Sequence, residues 1–575
     1  MLASSTLPIP EGDYELRVVP DTLDLAYRAE LALNAITRSV NPRRNYDTYF
    51  RGNIIVNPPR ISHTWESAQG KLSEPLLLNR LMTGNLANMD VDAAWIKWLH
   101  ARRDGIEHLH PVYMGRSLCA IALHYRLTRD PAWLETGQRV VERLDSICPK
   151  IDDYAYIPAK YDLNYRPATQ SGRRPEYMGV EHAKGWPARH SVYLLQGLCA
   201  FVRETGDEVA ANLAGQLARF IRYHAEYFDE DGRFLARHEG YLGPKSAIHF
   251  YCHANGLLVL SEYTLVSGDR AFAEFARKGY QFARTHGAPE IGFFPEYLEW
   301  PQDRGGVINC EACDTAAMTG TALKLTEAGI GDYWEHVDCY VRNMLTECQL
   351  TSSRWIEDSL LSVPKTPIDP EMDEIQQVPE RLVGNFAAWA SPNEFRAWNP
   401  GITQCCVANS SRALYFAWCR MLNEEPDRVT VELLMNRASK FADVTSDLPY
   451  SGRVSIHMKK RANLRVRMPS WLNPRSLAIT SRPSGESVAF NHDGPYATIS
   501  QRSVGEELLL TFDLPERTVR MQVGHIEATV TLRGNEVVAF DPPGNIGPLW
   551  QGKPVQNGVS EIARTYFIPN EVVHW

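Results

Sequence analysis

The sequence has no run of about 20 apolar residues, the length that a membrane-spanning helix needs. It also lacks a basic charge balance, because its 60 basic and 69 acidic residues give a formal net charge of −9, which is mild for this length and gives no electrostatic case for nucleic acid. Its start has neither the basic stretch nor the apolar stretch of a secretory signal. These absences predict a cytoplasmic protein with no membrane partner and no nucleic-acid partner.

The sequence has 11 cysteines in 575 residues, and the chain is long enough for two or three domains around a large core. Unpaired thiols suit a reducing compartment. Most of the cysteines lie in apolar helical surroundings, which is typical of small core residues. These seven are Cys119, Cys148, Cys199, Cys252, Cys339, Cys348 and Cys419.

The other four cysteines form two clusters, Cys310-Glu311-Ala312-Cys313 and the adjacent pair Cys405-Cys406. Adjacent residues lie about 3.8 Å apart, whereas a disulfide needs about 5.5 Å between Cα atoms, so the pair is not expected to bridge itself. It can bind one soft metal ion. Glu311 and Cys313 point to the same side if their segment is extended. The two clusters therefore predict a zinc site with three sulfurs and one oxygen, against the alternative that all four are plain core thiols.

A short acidic phrase recurs about every 60 residues in the first three quarters of the chain, at Asp130, Asp207, Asp269 and Asp332. An apolar-periodic helix precedes each phrase and another follows it. Glycine suits the end of the first helix and aspartate the start of the second. Helical hairpins that repeat in this way must bury their faces by stacking, which predicts an α/α toroid. The long spacers 152–187, 229–250 and 286–309 are expected to form its binding end.

Near residue 427 the pattern changes from helical to alternating, which predicts antiparallel strands. We therefore expect a mixed α and β multidomain protein, an (α/α) helical toroid catalytic domain followed by an antiparallel β-sandwich. The predicted boundaries are an N-terminal segment, 1–30, that joins the β layer, an (α/α)6-type toroid, 31–427, a β-sandwich, 428–527, and C-terminal strands and tail, 528–575.

Two glutamates and two histidines in the spacers are candidates for chemistry. Glu296 and Glu299 lie among aromatic residues, and an apolar setting raises a carboxyl pKa, as a general acid requires. The alternative is that these are solvent-facing loop acids. His190 and His253 each open a predicted inner helix and offer hydrogen bonds to a hydroxyl-rich substrate, against the alternative of satisfied structural histidines.

Several of these motifs together resemble glycoside hydrolase family 127, which is related to family 146 and contains β-L-arabinofuranosidases. They are the Glu-x-Cys at Glu311, the run CCVAN at Cys405–Asn409, the acidic aromatic loop before Glu311 and the phrase VRMPSWL at 466–472. The resemblance covers the chain from about residue 100 to about residue 545. It implies an exo-acting glycosidase on a mono- or oligosaccharide. A homodimer is left open as the oligomeric state.

The resemblance also implies residue roles. Zn²⁺ would be held by Glu311, Cys313, Cys405 and Cys406. Cys405 would be the nucleophile of a retaining mechanism. Glu296 would be the acid/base, with Glu299 as the fallback. His190 and His253 match positions of sugar-contacting histidines.

One position departs from the family pattern. Arg116 stands after Gly115 where the family usually has histidine, so we expect Arg116 to bind substrate and to recognise an acidic sugar.

Two other functions stay open. One is an unsaturated-uronyl hydrolase or polysaccharide lyase on the same toroid, which needs no adjacent thiols. The other is a non-catalytic carbohydrate-binding protein with a structural zinc site.

Overall fold

The computed structural model describes residues 7–64, 68–106, 109–158, 186–235, 248–298, 306–395, 401–545, 547–550 and 558–575. Within these ranges no helix is both long enough and apolar enough to cross a membrane. The described α-helices, numbered in chain order, are α1 Leu25–Arg38, α2 Gln69–Thr83, α3 Met89–His100, α4 Pro111–Thr128, α5 Pro131–Ile147, α6 Trp186–Thr205, α7 Glu208–Arg219, α8 Phe250–Ser267, α9 Arg270–Arg284, α10 Ala312–Glu327, α11 Trp334–Tyr340, α12 Arg354–Leu360, α13 Val378–Leu382 and α14 Gln404–Trp418.

Six of these helices close a ring. α2 packs on α4, α4 on α6, α6 on α8, α8 on α10, α10 on α14, and α14 returns to α2. Outer helices lie against them, with α5 on α4, α7 on α6, α9 on α8 and α11 on α10. Inner α8 is buried along nearly its whole length, whereas outer α9 buries one face only. An inner helix is covered on every side, so its residues are buried whichever face they lie on. The predicted helical toroid is confirmed.

The predicted helix starts are also confirmed in three of the four repeats, whereas α11, after Asp332, has Tyr333 as its N-cap. The carboxylates of Asp130, Asp207 and Asp269 accept hydrogen bonds from backbone N–H groups in the first turns of α5, α7 and α9. Gly206 and Gly268, directly before two of these aspartates, have φ angles of 69° and 75°. Glycine adopts this left-handed conformation without a steric cost, so it ends one helix where aspartate begins the next.

The described strands, also in chain order, are β1 Gly12–Pro20, β2 Val40–Asn41, β3 Asp47–Thr48, β4 Arg51–Asn53, β5 Arg60–Ser62, β6 Lys150–Ile151, β7 Tyr154–Ala155, β8 Ile248–His249, β9 Tyr297–Leu298, β10 Asp373–Glu374, β11 Gly401–Thr403, β12 Leu422–Glu425, β13 Arg428–Val431, β14 Ala442–Ser446, β15 Arg453–Met458, β16 Ala462–Arg467, β17 Ala478–Arg482, β18 Asn491–Asp493, β19 Tyr496–Arg502, β20 Glu507–Thr511, β21 Glu516–Val523, β22 Ile526–Arg533, β23 Glu536–Asp541 and β24 Glu561–Pro569.

The C-terminal strands form layered sheets. A five-stranded sheet has the order β12-β13-β16-β19-β18, and a four-stranded sheet has the order β14-β15-β20-β17. In β15 buried and less buried residues alternate, as in a strand with one face on a core. Pairing is antiparallel except between β13 and β16. This arrangement is the predicted β-sandwich after the toroid.

Two further strand groups form sheets of their own. β1, which lies in the N-terminal segment 1–30, pairs antiparallel with β24 over its whole length. β21, β22 and β23 form one three-stranded sheet, so the domain boundary predicted between residues 527 and 528 falls inside β22. At the other boundary, α14 ends at Trp418 and β12 begins at Leu422.

Short strands set the entrance to the site. β11 is the edge of a four-stranded sheet with the order β10-β5-β4-β11, and it leads directly into α14. β9 pairs with β8, which leads directly into α8. These pairings hold the segment around residue 296 and the start of α14 at the same end of the ring of inner helices.

Candidate active site and metal centre

The two cysteine clusters meet at the N-termini of two neighbouring inner helices. Glu311 is the N-cap of α10 and Cys313 lies in its first turn. Cys405 and Cys406 lie in the first turn of α14, directly after β11. Because α10 packs on α14, segments 94 residues apart come into contact. The positive end of a helix dipole favours a thiolate or a carboxylate at such a position.

The donor atoms have the spacing of a tetrahedral site. Sγ of Cys406 lies 3.7 Å from Sγ of Cys313 and 3.8 Å from Sγ of Cys405. Oε1 of Glu311 lies 3.3 Å from Sγ of Cys405 and 3.4 Å from Sγ of Cys406. Tetrahedral Zn²⁺ with Zn–S bonds of about 2.3 Å separates two sulfurs by about 3.8 Å and a sulfur from an oxygen by about 3.5 Å. All four donor atoms lie within 4.8 Å of one another, so the residues fit zinc.

The four ligand candidates differ in exposure. Cys405 is partly exposed, whereas Glu311, Cys313 and Cys406 are buried. Hydroxyl Oγ1 of Thr403 lies 2.9 Å from Sγ of Cys405. Cys405 is therefore the one sulfur of the cluster that a substrate can reach.

Protonation within the cluster follows from this geometry. Hydrogen bonds from Cys313 and Cys406 hold the pKa of Cys405 well below its ordinary value. Burial raises the pKa of Cys313 and Cys406, and burial together with the charge of Cys405 raises the pKa of Glu311. Cys405 is thus the thiol of this cluster that loses its proton most readily, and a bound cation would favour deprotonation of the other ligands.

Glu296 lies beside this cluster. The residue is 5% exposed, its Oε2 accepts a hydrogen bond of 2.6 Å from Nδ2 of Asn309, and its Oε1 accepts one of 3.1 Å from Nε1 of Trp389. The other loop candidate, Glu299, lies outside the described residues. Glu296 is therefore the described carboxylate that can exchange a proton near Cys405.

His249, which we did not predict, joins the two carboxylates. Its Nε2 lies 4.0 Å from Oε1 of Glu296 and 3.8 Å from Oε2 of Glu311. Its Nδ1 accepts a hydrogen bond from the N–H of Cys252 and so caps α8, which leaves the proton on Nε2. Burial and the charge of Arg189 hold the pKa of His249 well below its ordinary value. The sequence feature that could have identified His249 is its position directly before α8.

The two predicted histidines lie deeper. His190 is 0% exposed in α6, with its ring 5.1 Å from and edge-on to that of His110. His253 is 2% exposed and stacks on the ring of Tyr227 at 4.0 Å, and its Nδ1 lies 3.0 Å from the carbonyl oxygen of His249. These contacts place the two rings in the core of the toroid.

Arg116 pairs with a buried carboxylate. Its side chain is 1% exposed, and its Nη2 lies 2.7 Å from Oε2 of the fully buried Glu74. Its Nη1 donates to Oδ1 of Asn409 at 3.3 Å, and Nδ2 of Asn409 donates to Sγ of Cys313 at 3.1 Å. A buried guanidinium needs an anion, and Glu74 supplies it within the helical core. These contacts give no support to the expectation that Arg116 binds the substrate, since the residue lies behind the thiol cluster.

No protein-family model matches the chain, and no curated protein matches it either. Among solved structures, a glycoside hydrolase shares 13% identity over 90% of this chain and 81% of its own, with a TM-score of 0.55. A family 127 β-arabinofuranosidase shares 13% identity over 89% of this chain and 80% of its own, with a TM-score of 0.52. At this identity the likeness shows the fold, and it extends over about nine tenths of the chain.

Proposed function

We propose that the protein is a retaining, exo-acting glycoside hydrolase of β-L-arabinofuranosides, with Cys405 as nucleophile and Glu296 as acid/base. The observation that carries the proposal is the meeting of Glu311, Cys313 and Cys406 around the more exposed sulfur of Cys405. Glu296 lies within reach of the same cluster through His249. The shared fold with a β-arabinofuranosidase supports the substrate class.

The chemistry needs two displacements at the anomeric carbon. The thiolate of Cys405 attacks that carbon and forms a C–S bond while the glycosidic C–O bond breaks, and Glu296 gives its proton to the leaving oxygen. Glu296 then takes a proton from water, the water oxygen attacks the same carbon, and the C–S bond breaks to return the thiolate. Two inversions give retention, as in enzymes with two carboxylates.

Glu311, Cys313, Cys405 and Cys406 are the residues that would hold a zinc ion. When bound, the ion keeps its thiol ligands deprotonated and fixed in place. The protein's own part is to orient these donors from two helix N-termini and to exclude water from three of them.

Arg116 carries no free charge toward the site, because Glu74 pairs with it. The reason to expect an acidic sugar as substrate is therefore removed. A neutral arabinofuranoside is the substrate to test first. A structural zinc site in a non-catalytic protein is the second candidate, since closed sets of cysteine and glutamate are typical of structural zinc. The partial exposure of Cys405 favours catalysis over it.

The test compares Cys405→Ala, Glu296→Gln and Cys119→Ala on an aryl β-L-arabinofuranoside. The first two variants should lose at least about a hundredfold in kcat while the circular dichroism spectrum is kept, because each removes a group that makes or breaks a bond. Cys119→Ala removes a fully buried thiol of α4 outside the cluster and is the matched control, with kcat within about twofold.

Mass spectrometry of the protein after reaction with a slow arabinofuranoside should find the sugar on the peptide that contains Cys405. A sugar found on a carboxylate, or full activity of Cys405→Ala, would reject the thiol nucleophile. Turnover of unsaturated uronides but not of arabinofuranosides would favour the hydrolase or lyase alternative, and binding of sugar without turnover would favour the non-catalytic one.

A further inference from the structure

Asn409 connects the thiol cluster to a buried ion pair. It lies on α14 one turn after Cys405 and is 6% exposed. Its Nδ2 donates to Sγ of Cys313 at 3.1 Å, and its Oδ1 accepts from Nη1 of Arg116 at 3.3 Å. One amide thus contacts a sulfur on α10 and a guanidinium on α4.

The direction of this amide is determined by chemistry. An arginine side chain has hydrogen-bond donors and no acceptor, so only the oxygen of Asn409 can face Arg116. The NH2 group must then face Cys313. A sulfur that receives an N–H is held as an acceptor, which is the state that a metal ligand needs, and its lone pairs are oriented by that bond.

Arg116 is fixed in turn from behind. Its Nη2 lies 2.7 Å from Oε2 of Glu74, and both side chains are at most 1% exposed. The other oxygen of Glu74 accepts from Nε of Arg412 at 3.0 Å and from Nε1 of Trp575 at 2.6 Å. Glu74 therefore has no freedom to turn away, and Arg116 keeps one orientation toward Asn409.

We propose that Asn409, aimed by the Arg116–Glu74 pair, is a positioning residue that holds the sulfur of Cys313 ready to bind a soft metal ion. This proposal rests on the metal site of the proposed function but not on the reaction. It assigns a role to the buried charge of Arg116, which is to orient the amide of Asn409. It also explains why a polar amide occupies this buried position, although an apolar side chain would avoid the free-energy cost of burying a polar group.

The test is the retention of zinc by the full chain as purified, without substrate. Asn409→Asp keeps the shape but turns an oxygen toward the sulfur. Zinc and cobalt binding are measured by competition with a chelator, and the cobalt-loaded protein is checked for its thiolate-to-metal absorption band. Loss of an orienting partner of a ligand typically weakens metal binding 10- to 100-fold, and we expect that range together with a shifted cobalt band.

The matched control is Asn255→Asp, which makes the same change in a buried amide of inner helix α8, beside the same small cavity that Asn409 lines. The structure gives Asn255 no contact with the sulfurs among the described residues, so metal affinity should stay within about threefold of the wild type. If Asn409→Asp fails to fold, Asn409→Ser removes the amide without adding a charge, and the same loss of metal affinity is expected.

Unchanged metal affinity and an unchanged cobalt band in the Asn409 variants would overturn the proposal, as would an equal loss in Asn255→Asp. A wild-type chain that binds neither ion would overturn the metal site and this proposal together. A wild-type chain that binds zinc, loses it on Asn409→Asp and yet hydrolyses no glycoside would support the positioning proposal while rejecting the proposed function.

Discussion

Replacing Glu74 by glutamine should strongly destabilise the toroid. Glu74 is 0% exposed and is the only carboxylate among the described residues at ion-pair distance from Arg116. Burial alone would raise the pKa of Glu74, but the charges of Arg116 and Arg412 outweigh it and hold that pKa below its ordinary value. The native state therefore contains a carboxylate that compensates two buried cations.

The size of the effect follows from what remains after the change. Arg412 keeps Glu262 at 2.8 Å, but Arg116 is left with an amide as its remaining partner. Removing one partner of a buried ion pair typically costs about 3–5 kcal/mol, because the other charge stays buried. We expect the free energy of unfolding to fall by about that amount in Glu74→Gln.

The assay is urea unfolding followed by far-UV circular dichroism. Glu274→Gln is the matched control, because its carboxylate is 51% exposed and pairs with Arg277 at 3.0 Å on outer helix α9. Exposed pairs contribute about 0.2–1 kcal/mol, so this variant should change little. The double variant Glu74→Gln with Arg116→Met should regain part of the loss. A cost below about 1 kcal/mol for Glu74→Gln, or strictly additive costs in the double variant, would refute the reasoning.

Three further predictions concern the site and its surroundings. Metal analysis should find about one zinc per chain in the wild type and almost none in Cys406→Ser, because three donors in place of four bind zinc weakly. Cys419→Ser, which removes a buried thiol outside the cluster, should keep the metal. Trp389→Phe should lower kcat about tenfold, because Glu296 loses one of its two described hydrogen-bond donors. A hydrogen bond to a carboxylate contributes about 1.5 kcal/mol or more. Unchanged kcat would mean that this bond does not position the acid. Burial lowers the pKa of His253 from 6.5 to about 4, so its neutral form stabilises the fold fully above pH 6.5 and progressively less as the pH falls toward 4. Between pH 7.5 and 5 the wild type should therefore lose about 2 kcal/mol more than His253→Phe does, measured by urea unfolding at both values.

Much of the fold could be predicted because its signals are local. The aspartate at 130, 207 and 269 begins a helix by accepting from backbone N–H groups within its own first turn, and glycine before it needs no partner elsewhere. Alternation of apolar and polar residues, as in β15, reports that one face of a strand is covered, whatever covers it.

The four candidate metal donors could be predicted for a chemical reason. Three thiols and a carboxylate in two short clusters have few uses apart from a soft metal, and adjacent cysteines cannot easily pair with each other. The histidines could not be assigned in the same way. His253 and His249 are one helical turn apart on the same segment, and only the packing of aromatic rings around His253 shows that His249 is the one beside the carboxylates.

The sequence by itself determined the toroid, the sandwich and the kind of donor atoms, because each depends on neighbours a few residues away. The partner of Arg116 was decided by tertiary structure alone. A long cation can reach a sugar, a sulfur network or a carboxylate, and closure of the helical ring put Glu74 and Asn409 within its reach while water was excluded. Burial then made the ion pair obligatory, since a guanidinium without an anion is costly in a core.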